Sequence, residues 1–241
     1  MTPGTGSLTL AHARISARWG ARADDALWRR IETTRALDAV LALVRCSPLA
    51  GWVGGLDAEA GLHEIDQSLR RHWQAEVAEV AAWLPEAWQP ALRFCATGID
   101  LPMRQHQRRL ARAAALAAPP ASGDPARPDT VDTEAGDPEA VWPDWLSALR
   151  RLMPAGGGRT TVLQLLLPLA ERHLQAFAHP AAVDGWALRR RLAEQLGQLW
   201  RRHPAEPVGA FIHLALTALE GERLRGELAR RAAFPAGRLA A

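Results

Sequence analysis

The sequence predicts an all-α protein of packed amphipathic helices, and three observations carry that prediction. Strand formers are scarce: among 241 residues there is no Tyr and only four Phe. Ala, Leu and Arg, all good helix formers, are abundant instead. Apolar residues recur every three or four positions, most clearly as Leu62, Ile65, Leu69, Trp73, Val77, Val80 and Leu84. That spacing sets one face of a helix, with Glu64, Gln67, Arg70, Arg71, Gln74 and Glu79 on the other.

Taken in order, a loose Thr/Gly/Ser-rich start leads to a first helix from Leu8 or Ala11 to Gly20. Asp24 and Asp25 supply the N-cap and first-turn charge of a second helix, Asp25 to Val44, with Leu27, Trp28, Ile31, Leu37, Val40, Leu41 and Val44 as its stripe. Ser47-Pro48 and the glycines at 51–55 break the chain, and Asp57 is the expected cap of the central helix. Pro85 stops that helix near Leu84. Pro90 fits only in a first turn, so the next helix starts near Trp88 and runs to Thr97, with Gly98 and Pro102 ending it. Met103 to Ala118 reads as a strongly basic helix.

Residues 119–141 are rich in Pro, Asp and Gly and almost free of large apolar groups, the composition of a flexible acidic linker. Helices follow from Pro143 or Asp144 to Leu152, and from Thr160 to Ala178 with Pro168 kinking or splitting it. Asp184 caps a helix from Gly185 to His203 whose inward residues are Trp186, Leu188, Leu192, Leu196, Leu199 and Trp200. The last runs from Pro207 to about Phe234. The organisation is therefore an N-terminal helical half (1–118), the linker (119–141) and a C-terminal helical half (142–241). Leu27-Trp28-Arg29-Arg30 and Leu199-Trp200-Arg201-Arg202 echo one another across the halves, as do the Trp/Pro turns at 83–88 and 142–146, the pattern of two repeat-like units.

The net charge is only +3, and all 29 basic residues are Arg. Residues 1–118 carry 14 Arg against 12 acids, 119–145 one against seven, and 146–241 14 against seven. Arg pervades every segment, so the excess is a compositional bias rather than a polycationic tract. No signal-peptide pattern opens the chain and no run approaches a membrane span. The expectation is a cytoplasmic protein, its two cysteines, Cys46 and Cys95, reduced core thiols.

Chemistry-bearing motifs are missing from the sequence. His63-Glu64 lacks the second His of a zinc helix, no His pair stands at i, i+4, and His213 in an apolar run reads as a hydrogen-bonded core residue. Gly156-Gly157-Gly158-Arg159-Thr160-Thr161 lacks the Lys and the preceding strand of a phosphate loop. No catalytic, cofactor or metal residues are assigned, and no cofactor is expected. The residues left for function are those of interfaces, where Trp and Arg are enriched. Trp52, Trp88, Trp142 and Trp145 lie near helix ends; Arg104, Arg108, Arg109 and Arg112 crowd one helix, and Arg189 and Arg190 begin another. A basic helical nucleic-acid-binding module is the alternative reading of those arginines, weakened by the acids that interleave them.

Three stretches carry a resemblance. Leu10-Ala11-His12-Ala13-Arg14-Ile15-Ser16-Ala17-Arg18, the helix Leu62–Leu84, and Ala218-Leu219-Glu220-Gly221-Glu222-Arg223-Leu224-Arg225-Gly226-Glu227-Leu228 resemble segments of the collar subunit of rotary ATPases, called d in the V-type and C in the A/V-type enzymes. Arg223 stands where that family has Asn. The resemblance implies an all-α funnel seated on a membrane-embedded rotor ring, peripheral to the inner membrane, coupling the stalk to proton transport without catalysis. The function expected is thus a non-catalytic interaction or coupling subunit whose partners are other protein subunits rather than nucleic acid.

Overall fold

In the computed structural model, residues 7–117, 137–178 and 184–234 are described; most of the expected linker, up to residue 136, lies outside them. Among the described residues every regular element is helical. The elements are α1 (Leu8–Gly20), α2 (Asp25–Thr33), α3 (Leu37–Arg45), α4 (Leu62–Trp83), α5 (Gln89–Phe94), α6 (Leu101–Ala117), α7 (Val141–Leu152), α8 (Gly157–Thr161), α9 (Leu167–Ala178), α10 (Gly185–Arg202) and α11 (Val208–Ala233). No helix among them is long and apolar enough to cross a membrane.

The central pair is α4 and α11. α4 buries Ile65, Leu69, Trp73, Val77 and Val80, the stripe its sequence spacing predicts. Leu62, at the first turn, is 53 % exposed and leaves the stripe. α11 is buried almost all round its first half, from Val208 to Leu214, as an uninterrupted apolar run requires. α1, α3 and α10 all pack against α11. Leu69 and Val77 from the N-terminal half share one hydrophobic cluster with Leu149, Leu196, Ile212 and Leu224 from the C-terminal half. Of the stretch expected as a linker at 119–141, residues 138–140 form a 3₁₀ turn leading into α7.

Two glycines let tryptophans sink between helices. An added Cβ at Gly221 would stand 2.6 Å from the Trp52 ring, and one at Gly209 2.5 Å from the Trp200 ring. α11 therefore presents flat backbone where an indole has to lie.

The expected single helix from Asp25 to Val44 is two. Asp24 caps α2 as expected, accepting from the Leu27 N–H at 2.7 Å. The helix then ends at Thr33, and Thr34 is extended. Thr33 and Thr34 turn their hydroxyls back on the carbonyls of Arg29 and Arg30 at 2.8 and 2.7 Å, an arrangement that competes with the helical ladder. The deciding group is Arg231 of α11, only 3 % exposed. Its guanidinium donates to the Thr34 carbonyl at 2.8 Å and to the Ile31 carbonyl, and pairs with the Glu227 carboxylate at 2.6 Å. A helix C-terminus leaves carbonyls without partners; here a distant arginine satisfies them.

Smaller departures have local causes. Gly61, not Asp57, precedes α4, its N–H held by the Glu64 carboxylate at 2.6 Å, while Asp57 accepts from Glu59. Pro102 does not end a helix but sits in the first turn of α6, where its missing N–H costs nothing. Across Pro168 the helical run is unbroken; Val162–Leu166 widen into a π-turn that runs into α9. Pro168 has no N–H for the carbonyl of Gln164, and a wider turn relieves the clash. Cys46 is exposed at the end of α3, so only Cys95, half-buried, approaches the core thiol expected of both.

Two outcomes are expected in urea unfolding. Arg231→Met should lose about 3 kcal/mol through orphaned carbonyls and a Glu227 left with Arg230 alone as partner, at 3.2 Å, read as a lower midpoint with an unchanged slope. Gly221→Ala should lose about 1–3 kcal/mol by overpacking against Trp52; a midpoint equal to wild type would mean that the indole has room to move.

Candidate functional site

A charged cluster lies where α1, α4 and α11 meet. Arg18 of α1 pairs with Glu76 and, at 2.6 Å, with Glu79, both on α4. Its guanidinium also lies 4.7 Å from the centre of the Trp83 ring, a cation–π contact. From α11, His213 Nε2 meets the same Glu76 oxygen at 3.0 Å. One turn before Glu76, His72 sits edge-on to Trp52 at 4.4 Å. Further along, Arg22 donates to Glu220 at 3.0 Å and to the Leu216 carbonyl at 3.3 Å.

The electrostatics follow from burial and pairing. Burial works against the Glu76 charge, but hydrogen bonds with His213 and Arg18 outweigh it and hold the carboxyl below its ordinary value. Glu220 goes the other way, because burial pushes its carboxyl up despite the Arg22 partner. Burial also holds His72 below the usual imidazole range.

A Glu–His pair is the raw material of acid–base catalysis, but chemistry needs a substrate within hydrogen-bond reach. Glu76 and His213 are 8 % and 4 % exposed. The nearby cavity between Leu84, Trp200 and Gly209 is about 10 Å³, room for one water. Their geometry is that of a tie between helices. Among the described residues, no cluster of three His, Cys, Asp or Glu is placed to hold a metal ion.

The interface candidates fall into two groups. Trp52 and Trp88 are buried at 4 % and 9 % exposure, the first beneath Gly221 and the second edge-on to Phe211 at 6.1 Å. In this conformation they present no surface to a partner. Trp142 and Trp145 are half-buried at the joint of α5 and α7. The Trp145 N–H donates to the Thr97 hydroxyl at 2.8 Å, its ring stacks on Phe94 at 5.5 Å, and Trp142 meets it edge-on.

Beside this joint, α6 leaves the body of the protein. Leu101 anchors its first turn in the interior, whereas residues 110–116 are exposed on every side. Arg108, Arg109 and Arg112 lie 3.5, 2.8 and 3.7 Å from Asp144, Glu139 and Asp137. Arg104 is exposed and has no acidic partner among the described residues. Met103, Leu110 and Leu116 are 52 %, 57 % and 80 % exposed. On α10, Arg189 lies over the Trp186 ring at 5.0 Å and Arg190 reaches Asp184 at 4.0 Å. Trp186, expected to point inward, is 40 % exposed. Six interface candidates, the two half-buried tryptophans and the four α6 arginines, thus gather on the α5–α6–α7 side.

Reading the sequence alone missed Arg18, Glu76 and Arg231. The available signal was their position: each charge stands next to the apolar stripe of its own helix, a buried-pair pattern without a visible partner.

No family model, no curated protein and no solved structure matches this chain.

Glu76 makes the cluster pH-sensitive with a defined sign. A carboxyl whose folded-state value is depressed adds stability above its ordinary value, and that stability disappears as pH falls through the depressed value. Glu76→Ala should therefore cost about 3 kcal/mol at neutral pH, and the variant's stability should fall less steeply toward acid pH than the wild type's. Parallel acid limbs in the two stability profiles would show that Glu76 carries no such linkage.

Proposed function

We propose that this chain is a non-catalytic interaction subunit that engages other proteins through α6. The observation supporting this reading is the exposure of Met103, Leu110 and Leu116 on a basic helix that is buried at its base and held farther along by solvent-exposed ion pairs. Large apolar side chains left in water along a projecting helix mark an interaction surface, and arginine beside apolar anchors is the composition of interface cores. The acids of 137–144 hold Arg108, Arg109 and Arg112 in solvent-exposed pairs. Such pairs are weak, so they orient the arginines while leaving them free to exchange partners. They also offset positive charge that phosphate binding would use, which favours a protein partner over nucleic acid.

The sequence resemblance to the rotary-ATPase collar subunit supplies the specific form of the proposal: a peripheral coupling subunit on a membrane-embedded rotor. Tagged protein purified from membrane and soluble fractions of its native host should carry stalk and ring subunits in the membrane fraction. The double variant Met103→Glu/Leu110→Glu should lose them while melting within a few degrees of wild type, since both side chains are already exposed. Capture of nucleic acid that nuclease removes, with an affinity falling steeply with salt, would replace this reading by the nucleic-acid alternative.

A further inference from the structure

The C-terminal half carries a second surface. α9 and α10 pack side by side and leave between them an open furrow of about 230 Å³. Leu169, His173 and Ala176 from α9 line it together with Leu188, Leu192 and Gln195 from α10. Leu188 and Leu192, whose spacing points them inward, are only half-buried because the furrow stays open to water. Leu165, one turn before Leu169 and 39 % exposed, continues the apolar line.

Arg172 and Arg191, one from each helix, stand at the rim, and no carboxylate lines the furrow. Both are exposed, and neither pairs with an acid among the described residues, whereas Arg150 close by is engaged with Glu171 at 3.1 Å. Among the described residues, the furrow therefore combines a largely aliphatic lining with two arginines that have no acidic partner.

We propose that this furrow binds an acidic amphipathic helix of a partner protein. The proposal rests on the interaction-subunit reading above and adds a second contact surface with a defined partner chemistry. Three features select that occupant. The furrow is smaller than the roughly 300–1,000 Å³ of a small-molecule pocket and open along its length, which suits a chain segment laid upon it. Two helices packed side by side present the ridges that accept a third helix, with apolar anchors at i, i+3, i+4 and i+7. Asp or Glu flanking those anchors would meet Arg172 and Arg191 with charge-assisted hydrogen bonds. A second copy of this chain docked symmetrically would set these arginines against their own equivalents. The lining offers the His173 ring alone and no row of aromatic side chains, a poor platform for successive nucleic-acid bases.

The test uses the full-length protein and a fluorescent synthetic helix of about 14 residues, with leucines at those four spacings and glutamates beside them. Its counterpart has every Glu replaced by Lys. Anisotropy should show saturable binding of the acidic peptide and none of the basic one. Arg172→Glu/Arg191→Glu should weaken it by about tenfold or more, and Leu188→Asp should do the same, with helical content and melting temperature kept. Leu165→Asp, a change at an already exposed site, provides a second floor variant if Leu188→Asp unfolds. Met103→Glu/Leu110→Glu should leave peptide affinity unchanged, which separates this surface from α6. Absent binding, equal binding of both peptides, or indifference to the arginine pair would overturn the proposal while leaving α6-dependent capture intact. Concentration-dependent dimerisation abolished by Arg172→Glu/Arg191→Glu would overturn it in favour of a second copy.

Discussion

The packing of α11 across α4 is the constraint on which the rest of the structure depends. α11 is buried almost all round through its first half, apolar but for His213 and Thr217, and cannot be stable at a surface. α4 offers the one long stripe able to cover it, and the remaining helices close around the pair. Because the two helices come from opposite ends of the chain, burial ties residues near the start to residues near the end. Each fully buried Leu, Ile or Val side chain contributes about 1.5–3 kcal/mol, so this joint dominates the stabilising side of folding.

Charge is used inside that joint to set geometry rather than to add stability. A buried ion pair gains little net free energy over an apolar pair of equal size, yet it is unforgiving of displacement. Glu76 accepts from α1 and α11 together through Arg18 and His213, which fixes the register of three helices with one carboxylate. Arg231 does the same between α11 and the end of α2. Arg223 of α11 adds a third tie, paired with Glu32 at 2.5 Å and lying 4.3 Å from the Trp28 ring centre. These ties draw α1, α2 and α4 onto α11, and Arg18 ties α1 directly to α4 as well.

This arrangement leaves the working surfaces at the periphery. The buried Glu76–His213 pair is closed off from solvent, and the conspicuous tryptophans at 52 and 88 are consumed by packing. What remains accessible is α6, projecting beyond its anchor at Leu101, and the furrow of α9 and α10. Both couple exposed aliphatic groups to arginine, and both lie outside the contacts that hold α4 against α11. Partner binding at either surface therefore need not disturb the core.

The all-α class, the extents of α1, α4, α10 and α11, the caps at Asp24 and Asp184, and the inward stripe of α4 were legible in the sequence. Each depends on side chains within a turn or two of one another, where periodicity and capping chemistry act. The break between α2 and α3 was not, because the group that satisfies the end of α2 is 200 positions away. Nor was the burial of Trp52, which depends on the missing side chain of Gly221. Leu188 and Leu192 have the spacing of core residues, yet they line an open furrow, since among the described residues no third helix covers α9 and α10 there. Of the candidate surface, the sequence supplied the basic helix and its arginines; only the fold decided that its apolar residues would stand in water. Local pattern determines which face of a helix is apolar, but whether that face is covered depends on where distant parts of the chain run.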